Sequence, residues 1–303
     1  MGKLSTVIFI LLLSLQAWGV TKRCAKTVEE YLRKSPSAAP SYETVTTTIE
    51  SAPKNKGAIF SLLGRGPDSI FAPGQSVFYQ GKAATVIQKD GGAGGGLFLK
   101  TAGGTVPLDP ASIMDVEVHR LPPAIRINSQ GEQVAVFYRT VSSKKFSDKK
   151  VTSMMERGIV SAGFAAQGSG KAMRNHAGFH DPVAASKKID VNILGTRFAQ
   201  TPARYMPFTS NPIFVSKAFH CDGCTVVIAE VEVPISKVVT DSELRGLLQP
   251  DWRNGRHLFV KSEYDEYPEE SEYTFTSHHL PARFVKKLYS IKPNGKVRIL
   301  RRD

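Results

Sequence analysis

The sequence predicts an α+β protein in which strand dominates: a short N-terminal helix and linker, a small β-barrel, then a larger domain on a mixed sheet. Two patterns carry this. Between Ile70 and Val118, short β-like runs alternate with turn residues. Beyond Val134, longer apolar runs of strand character are broken by a few capped helices.

The first residues read as a secretion signal. Lys3 supplies the positive start, Val7 to Leu15 the apolar core, and Ala17-Trp18-Gly19 a small-X-small cleavage site, which puts the mature start at Val20. The apolar core is too short to span a bilayer, so the mature chain is expected without a transmembrane anchor, secreted or periplasmic. Residues 1–19 are therefore set apart as the leader.

Residues 20–69 are read as a short helix and linker. Thr27-Val28-Glu29-Glu30 has the capping-box pattern and opens an amphipathic turn with Tyr31 and Leu32. Ser35 to Pro53, rich in Ser, Thr, Pro and Ala, reads as linker.

Residues 70–120 are read as the barrel. Its strands are Ser76 to Tyr79, Ala83 to Gln88, Leu97 to Thr101 and Met114 to Val118. The glycine run from Gly91 to Gly96 lacks the Gly-Lys-Ser/Thr ending of a phosphate loop and reads as a hairpin connection. Leu121-Pro122-Pro123 marks the next boundary, and the C-terminal domain is placed at 125–303.

In that domain Val134 to Tyr138 is an apolar run ending at Arg139. Ser147 caps a helix through Arg157, with Val151, Met154 and Met155 at helical spacing and Gly158 as the stop. Gly163 to Pro182 carries His176 and His180 at ligand spacing for a helix, but Gly178 and Pro182 argue for a loop. Thr225 to Val233 is a buried-strand run, Thr240-Asp241-Ser242-Glu243 caps a helix carrying Leu244, Leu247 and Leu248, and Phe284 to Leu300 is a hairpin turning at Pro293-Asn294-Gly295.

Forty Lys and Arg against 27 Asp and Glu give a formal charge of +13, or +12 once Lys3 leaves with the leader. Such an excess favours acidic partners, anionic surfaces or a phosphate-bearing ligand. No dense basic helix is interleaved with aromatic residues, so specific nucleic-acid binding is not expected. Of the cysteines, Cys221 and Cys224 flank an Asp-Gly turn and suit either a local disulfide or half of a zinc site. No second Cys or His pair stands at a usual metal spacing. Cys24 is left as a free or intermolecular thiol.

Three short stretches, far apart, carry the candidate chemistry: Phe137-Tyr138-Arg139, Pro207-Phe208-Thr209-Ser210 and Glu270-Ser271-Glu272. In an extended segment Glu270 and Glu272 share one face and Ser271 points away. Two carboxylates so close favour a positive partner, and Arg139 offers one whose planar fork also grips phosphate at two points. No Gly-X-Ser-X-Gly elbow, His-Glu-X-X-His helix or thiol-protease signature competes with them.

In order and spacing this trio resembles the mono-ADP-ribosyltransferases of the arginine, Ser-Thr-Ser, Glu-X-Glu class, which includes bacterial toxins. The resemblance covers roughly residues 133 to 303 and departs at Phe208, where the family has its first serine. It implies a split, mixed β core and transfer of ADP-ribose from NAD to a protein acceptor, on arginine, with release of nicotinamide. NAD is then a substrate, and no cofactor or metal is implied.

The resemblance gives Glu272 the carboxylate that stabilises an oxocarbenium-like state, as in glycoside hydrolysis. Glu270 becomes the acid that orients and helps deprotonate the acceptor. Arg139 holds the NAD phosphates or ribose and braces the strands, while Ser210 with Thr209 hydrogen-bonds Glu272 and shapes the nicotinamide pocket. Phe214 and Phe219 stand where the family supports nicotinamide, and the run Glu263, Asp265, Glu266, Glu269, with Tyr264 and Tyr267, where it meets its acceptor.

Each residue also has an ordinary structural alternative. Glu272 suits an exposed acid on an edge strand, Glu270 a surface acidic run, Arg139 a strand end, Ser210 a turn before Asn211-Pro212, and Phe214 and Phe219 core packing.

The small β-rich unit resembles bacterial SH3-like modules in Pro73-Gly74-Gln75-Ser76-Val77 and Gly81-Lys82-Ala83-Ala84-Thr85-Val86, which implies a cell-wall or protein ligand. Two further readings stay open: a secreted binding protein with a decayed transferase domain, and an NAD glycohydrolase with water as acceptor.

Overall fold

The computed structural model describes residues 41–52, 54–89, 96–144, 146–160, 206–218, 221–240, 242–243, 258–261, 268–275 and 279–302. The expected leader, the capping box expected at Thr27, His176 and His180, the helix expected beyond Glu243, Cys24, Phe219 and the acidic run from Glu263 to Tyr267 lie outside them. Within them the protein is mixed α+β and mostly sheet.

The main body is a ten-stranded sheet. Its strands are β1 (Glu43–Thr48), β7 (Ala124–Ile127), β8 (Gln133–Ser143), β10 (Met206–Thr209), β11 (Thr225–Pro234), β12 (Val238–Thr240), β13 (Phe259–Lys261), β14 (Glu272–Phe275), β16 (Val285–Ile291) and β17 (Lys296–Arg301). They run in the order β1-β17-β16-β11-β8-β10-β14-β13-β12, with β7 on β8, and only β12 and β13 pair in parallel.

The apolar run of β11 is covered on both sides, which explains its lack of alternation. Val227, Ala229, Val231 and Val233 face one core with Val151 and Met155 of α2 (Asp148–Arg157). Val226 and Ile228 face the other with Ile59 of α1 (Lys56–Leu62) and Val215 of α3 (Pro212–Lys217). Full burial of one such side chain contributes about 1.5 to 3 kcal/mol.

α2 has the caps expected. The Ser147 hydroxyl accepts from the Lys150 N–H at 3.3 Å, and Gly158 ends the helix at φ +90°. A Cβ on Gly158 would run into the Leu280 carbonyl oxygen, because β9 (Ile159–Val160) pairs with β15 (His279–Leu280) directly beyond it. The terminal hairpin also forms, with Gly295 at φ +83° in its turn.

The described part of the stretch read as linker, 41–52, is structured. Glu43 to Thr48 has no buried residue, and its strand state comes wholly from pairing along β17. Ile49 then buries and donates its N–H to the Gly295 carbonyl at 2.9 Å, a close approach that a side chain on Gly295 would block. Lys56 to Leu62 is helical, capped by the Asn55 side chain on the Ala58 N–H.

The expected barrel is an open sheet. β2 (Ser76–Tyr79), β3 (Lys82–Lys89), β4 (Gly96–Thr101), β5 (Gly104–Pro107) and β6 (Val116–Glu117) form an antiparallel path β5-β4-β3-β2-β6 whose end strands do not pair. β6 has two residues and β5 ends on a proline that cannot donate to a ladder, so neither edge can wrap onto the other. β3 and β4 pair on either side of the glycine run, as a hairpin requires.

The core of this sheet is completed from outside it. Phe60 of α1 and Ile213 of α3 bury among Val86, Leu99 and Ile113. No described helix is long and apolar enough to cross a membrane.

Candidate functional site

The large sheet is split where the site lies. β8 pairs with β11 along ten residues, whereas β8 and β10 meet at one position, Tyr138 opposite Thr209. Thr209 in turn pairs with Glu272 of β14, so Tyr138, Thr209 and Glu272 form one row across three strands. Past this row a cavity of about 340 Å³ opens between β8, β10, β14 and α3.

An aromatic cluster holds the halves together below it. Phe137 of β8 stacks on Phe259 of β13, with ring centroids 4.9 Å apart, and Phe208 meets Phe259 edge-on at 5.1 Å. Phe208 thus fills core space, while its ring also borders the cavity and lies 5.8 Å from the Arg139 guanidinium.

Arg139, Thr209, Glu270 and Glu272 all line the cavity. Arg139 is half-buried and its Nη1 donates to the Pro207 carbonyl at 2.6 Å, which stitches β8 to β10 where the ladder is missing. Burial pulls its pKa down to about 10, and the Glu272 carboxylate pushes it back up. The guanidinium stays charged at neutral pH.

Glu270 and Glu272 reach this cavity by a turn rather than by strand alternation. Pro268 to Glu270 is a 3₁₀ turn, Ser271 sits at φ +45°, and only at Glu272 does β14 begin. The left-handed residue between the acids replaces the extended geometry expected from the Glu-X-Glu spacing.

Ser210 and Thr209 make hydrogen bonds other than those expected. The Ser210 hydroxyl donates to the Leu121 carbonyl and lies 3.3 Å from the Ser271 carbonyl, so it does not turn to Glu272. Ser210 is 3 % exposed and lies outside the cavity lining. Thr209 donates its hydroxyl to the Glu270 carbonyl and accepts from the Asn211 N–H at 2.8 Å. Asn211, not singled out from sequence, donates from Nδ2 to the Glu269 carbonyl at 2.9 Å and caps α3 with Oδ1. Together these residues bind the backbone of the Glu270 turn.

α3 gives the cavity a second aromatic wall. Phe214 is half-buried and lines the cavity rather than joining a core cluster. The following turn is closed by a disulfide between Cys221 and Cys224, with Cα atoms 5.4 Å apart, and Gly223 takes φ +70° within it. These thiols are therefore not metal ligands. Among the described residues no three His, Cys, Asp or Glu side chains gather as a metal site would need.

A buried polar cluster behind β8 was not foreseen. Glu230 on β11 is fully buried, bonded by Arg126 at 3.0 Å and Lys287 at 3.4 Å. Beside it the Tyr138 hydroxyl accepts from Arg65 Nε at 3.1 Å. Burial and then the charge of Glu230 push Tyr138 up to about 12, so this phenol stays protonated. Charged partners 104 residues apart leave no local signal.

The cavity thus combines one cation, two carboxylates and two aromatic faces. It can grip an anion, stabilise developing positive charge and enclose a planar ring. No protein-family model, curated protein or solved structure matches the chain.

Proposed function

We propose that the protein is an exported mono-ADP-ribosyltransferase, which moves ADP-ribose from NAD to an arginine side chain of another protein. The observation that carries the reading is the meeting of Arg139, Thr209, Glu270 and Glu272, from three strands and a turn, on one cavity. Its volume of about 340 Å³ suits the nicotinamide ribose half of NAD rather than the whole molecule. The large sheet is read as an ADP-ribosyltransferase-like split core, and the small sheet as an SH3-like unit.

In this reading Phe208 and Phe214 flank nicotinamide, and Arg139 holds the phosphates or the ribose. The bond between ribose and the pyridinium nitrogen breaks, and its electron pair leaves with nicotinamide. Glu272 stabilises the oxocarbenium-like ribose across the gap. Glu270, at the cavity edge, takes the proton as the acceptor guanidine nitrogen bonds to the ribose.

Incubation of the full chain with NAD, scored for free nicotinamide and for ADP-ribosylated protein, tests the reading. Both products are expected. Nicotinamide without labelled protein indicates the glycohydrolase reading, and neither product, with known acceptor proteins supplied, favours a non-catalytic binding protein.

A further inference from the structure

We propose that Arg120 and Leu121, where the chain leaves the five-stranded sheet, form a clamp that positions the Glu270-Ser271-Glu272 turn. The N-terminal unit is then an intrinsic part of the site rather than a separate docking module. This rests on the transferase reading for its kinetic consequence only; the clamp itself is geometric.

Three hydrogen bonds make the clamp. The Arg120 N–H donates to the Pro268 carbonyl at 2.7 Å, the Leu121 N–H donates to Ser271 Oγ at 2.8 Å, and the Leu121 carbonyl accepts from the Ser210 hydroxyl. One dipeptide therefore holds both β10 and the turn that opens β14, the two segments that carry Thr209, Glu270 and Glu272.

Both sides of the clamp are strained. Arg120 at φ +53° and Ser271 at φ +45° are non-glycine residues in the left-handed region. Such residues persist where surrounding contacts over-determine them, and here both strained residues donate their N–H to one acceptor, the Pro268 carbonyl. Ser271 is fully buried, so water cannot replace its bond to Leu121. The five-stranded sheet supports the same site a second time. Ile213 of α3 buries in that sheet's core one residue before Phe214 reaches the cavity.

Ser271→Ala removes the hydroxyl, and Ser271→Gly removes it while relieving the left-handed backbone, so the pair separates hydrogen bonding from strain. Hydrogen exchange over residues 268–275 and steady-state nicotinamide release are measured on the full chain. The clamp predicts exchange in 268–275 faster by about tenfold or more in both variants, with the strands at 76–101 unchanged. It also predicts a fall in kcat of about ten- to a hundredfold with KM for NAD little altered, because the acids are displaced while the aromatic walls remain.

Unchanged exchange in both variants, or wild-type exchange and turnover in Ser271→Gly, overturns the clamp. If the wild type releases no nicotinamide, the transferase reading falls, and the exchange result alone decides the clamp.

Discussion

Arg139 and Glu272 face one cavity from β8 and β14, with β10 between them, and the carboxylate offsets the loss of charge that burial imposes on the guanidinium. The guanidinium has a second partner in the Pro207 carbonyl, and Glu272 is half-buried. Together they present both signs of charge to the cavity. In the proposed reading the ligand is NAD, which carries phosphates beside a pyridinium ring.

Glu270 lines the cavity and its backbone carbonyl accepts from the Thr209 hydroxyl; in the proposed reading it is the acid that serves the acceptor. Glu270→Gln should cut ADP-ribosylation of arginine by about a hundredfold, the usual weight of general-base help, and leave NAD hydrolysis within a few fold. Parallel assays for labelled protein and free nicotinamide check this; equal loss of both removes the division of labour between the acids.

Gly158 ends α2 at φ +90° against the Leu280 carbonyl and His279. Gly158→Ala adds backbone strain and overpacking, with an expected loss of about 2 to 4 kcal/mol. Urea unfolding should show a lower midpoint at an unchanged slope. A loss below about 0.5 kcal/mol would show that β15 moves aside freely.

His279 is buried, and its Nε2–H donates to the Arg157 carbonyl at 2.6 Å. Burial, helped by nearby Arg283, lowers its pKa although the Arg157 hydrogen bond raises it. The unfolded chain therefore binds this proton more readily. The stability His279 contributes is full above the unfolded value of about 6.5 and is lost as pH falls through the lower folded value. Denaturation from pH 7.5 to 5 should show this slope in the wild type and a flatter one in His279→Gln.

With Cys221 joined to Cys224, alkylation without reductant should reach neither of them, which leaves at most Cys24 of the three cysteines. Mass spectrometry should find at most that cysteine labelled. Modification of Cys221 before reduction would contradict the disulfide.

How much was legible in the sequence depended on how local the cause was. α2 could be read end to end because Ser147 and Gly158 act within a turn of the helix they bound. β11 and the terminal hairpin followed from unbroken apolar runs and Pro293-Asn294-Gly295. β1 could not, because six exposed residues become a strand only through β17, some 250 residues later. The α1 cap at Asn55 was a local signal and went unread.

The site divides the same way. Residue types and order pointed to Arg139, Thr209, Glu270 and Glu272, but spacing alone gave the wrong geometry at Ser271, since nothing in a serine announces φ +45°. Ser210 was placed by motif, and its hydroxyl answers instead to Leu121, a residue whose only sequence signal was a boundary before two prolines.

The transferase proposal requires that this cavity break the nicotinamide bond of NAD with Glu272 as the stabilising carboxylate. The direct measurement is single-turnover nicotinamide release by the wild type and by Glu272→Gln, with NAD affinity measured in both. Release by the wild type is expected, with a fall of about a hundredfold or more in the variant and affinity changed by less than about threefold. Equal release by the two proteins would rule Glu272 out of that role.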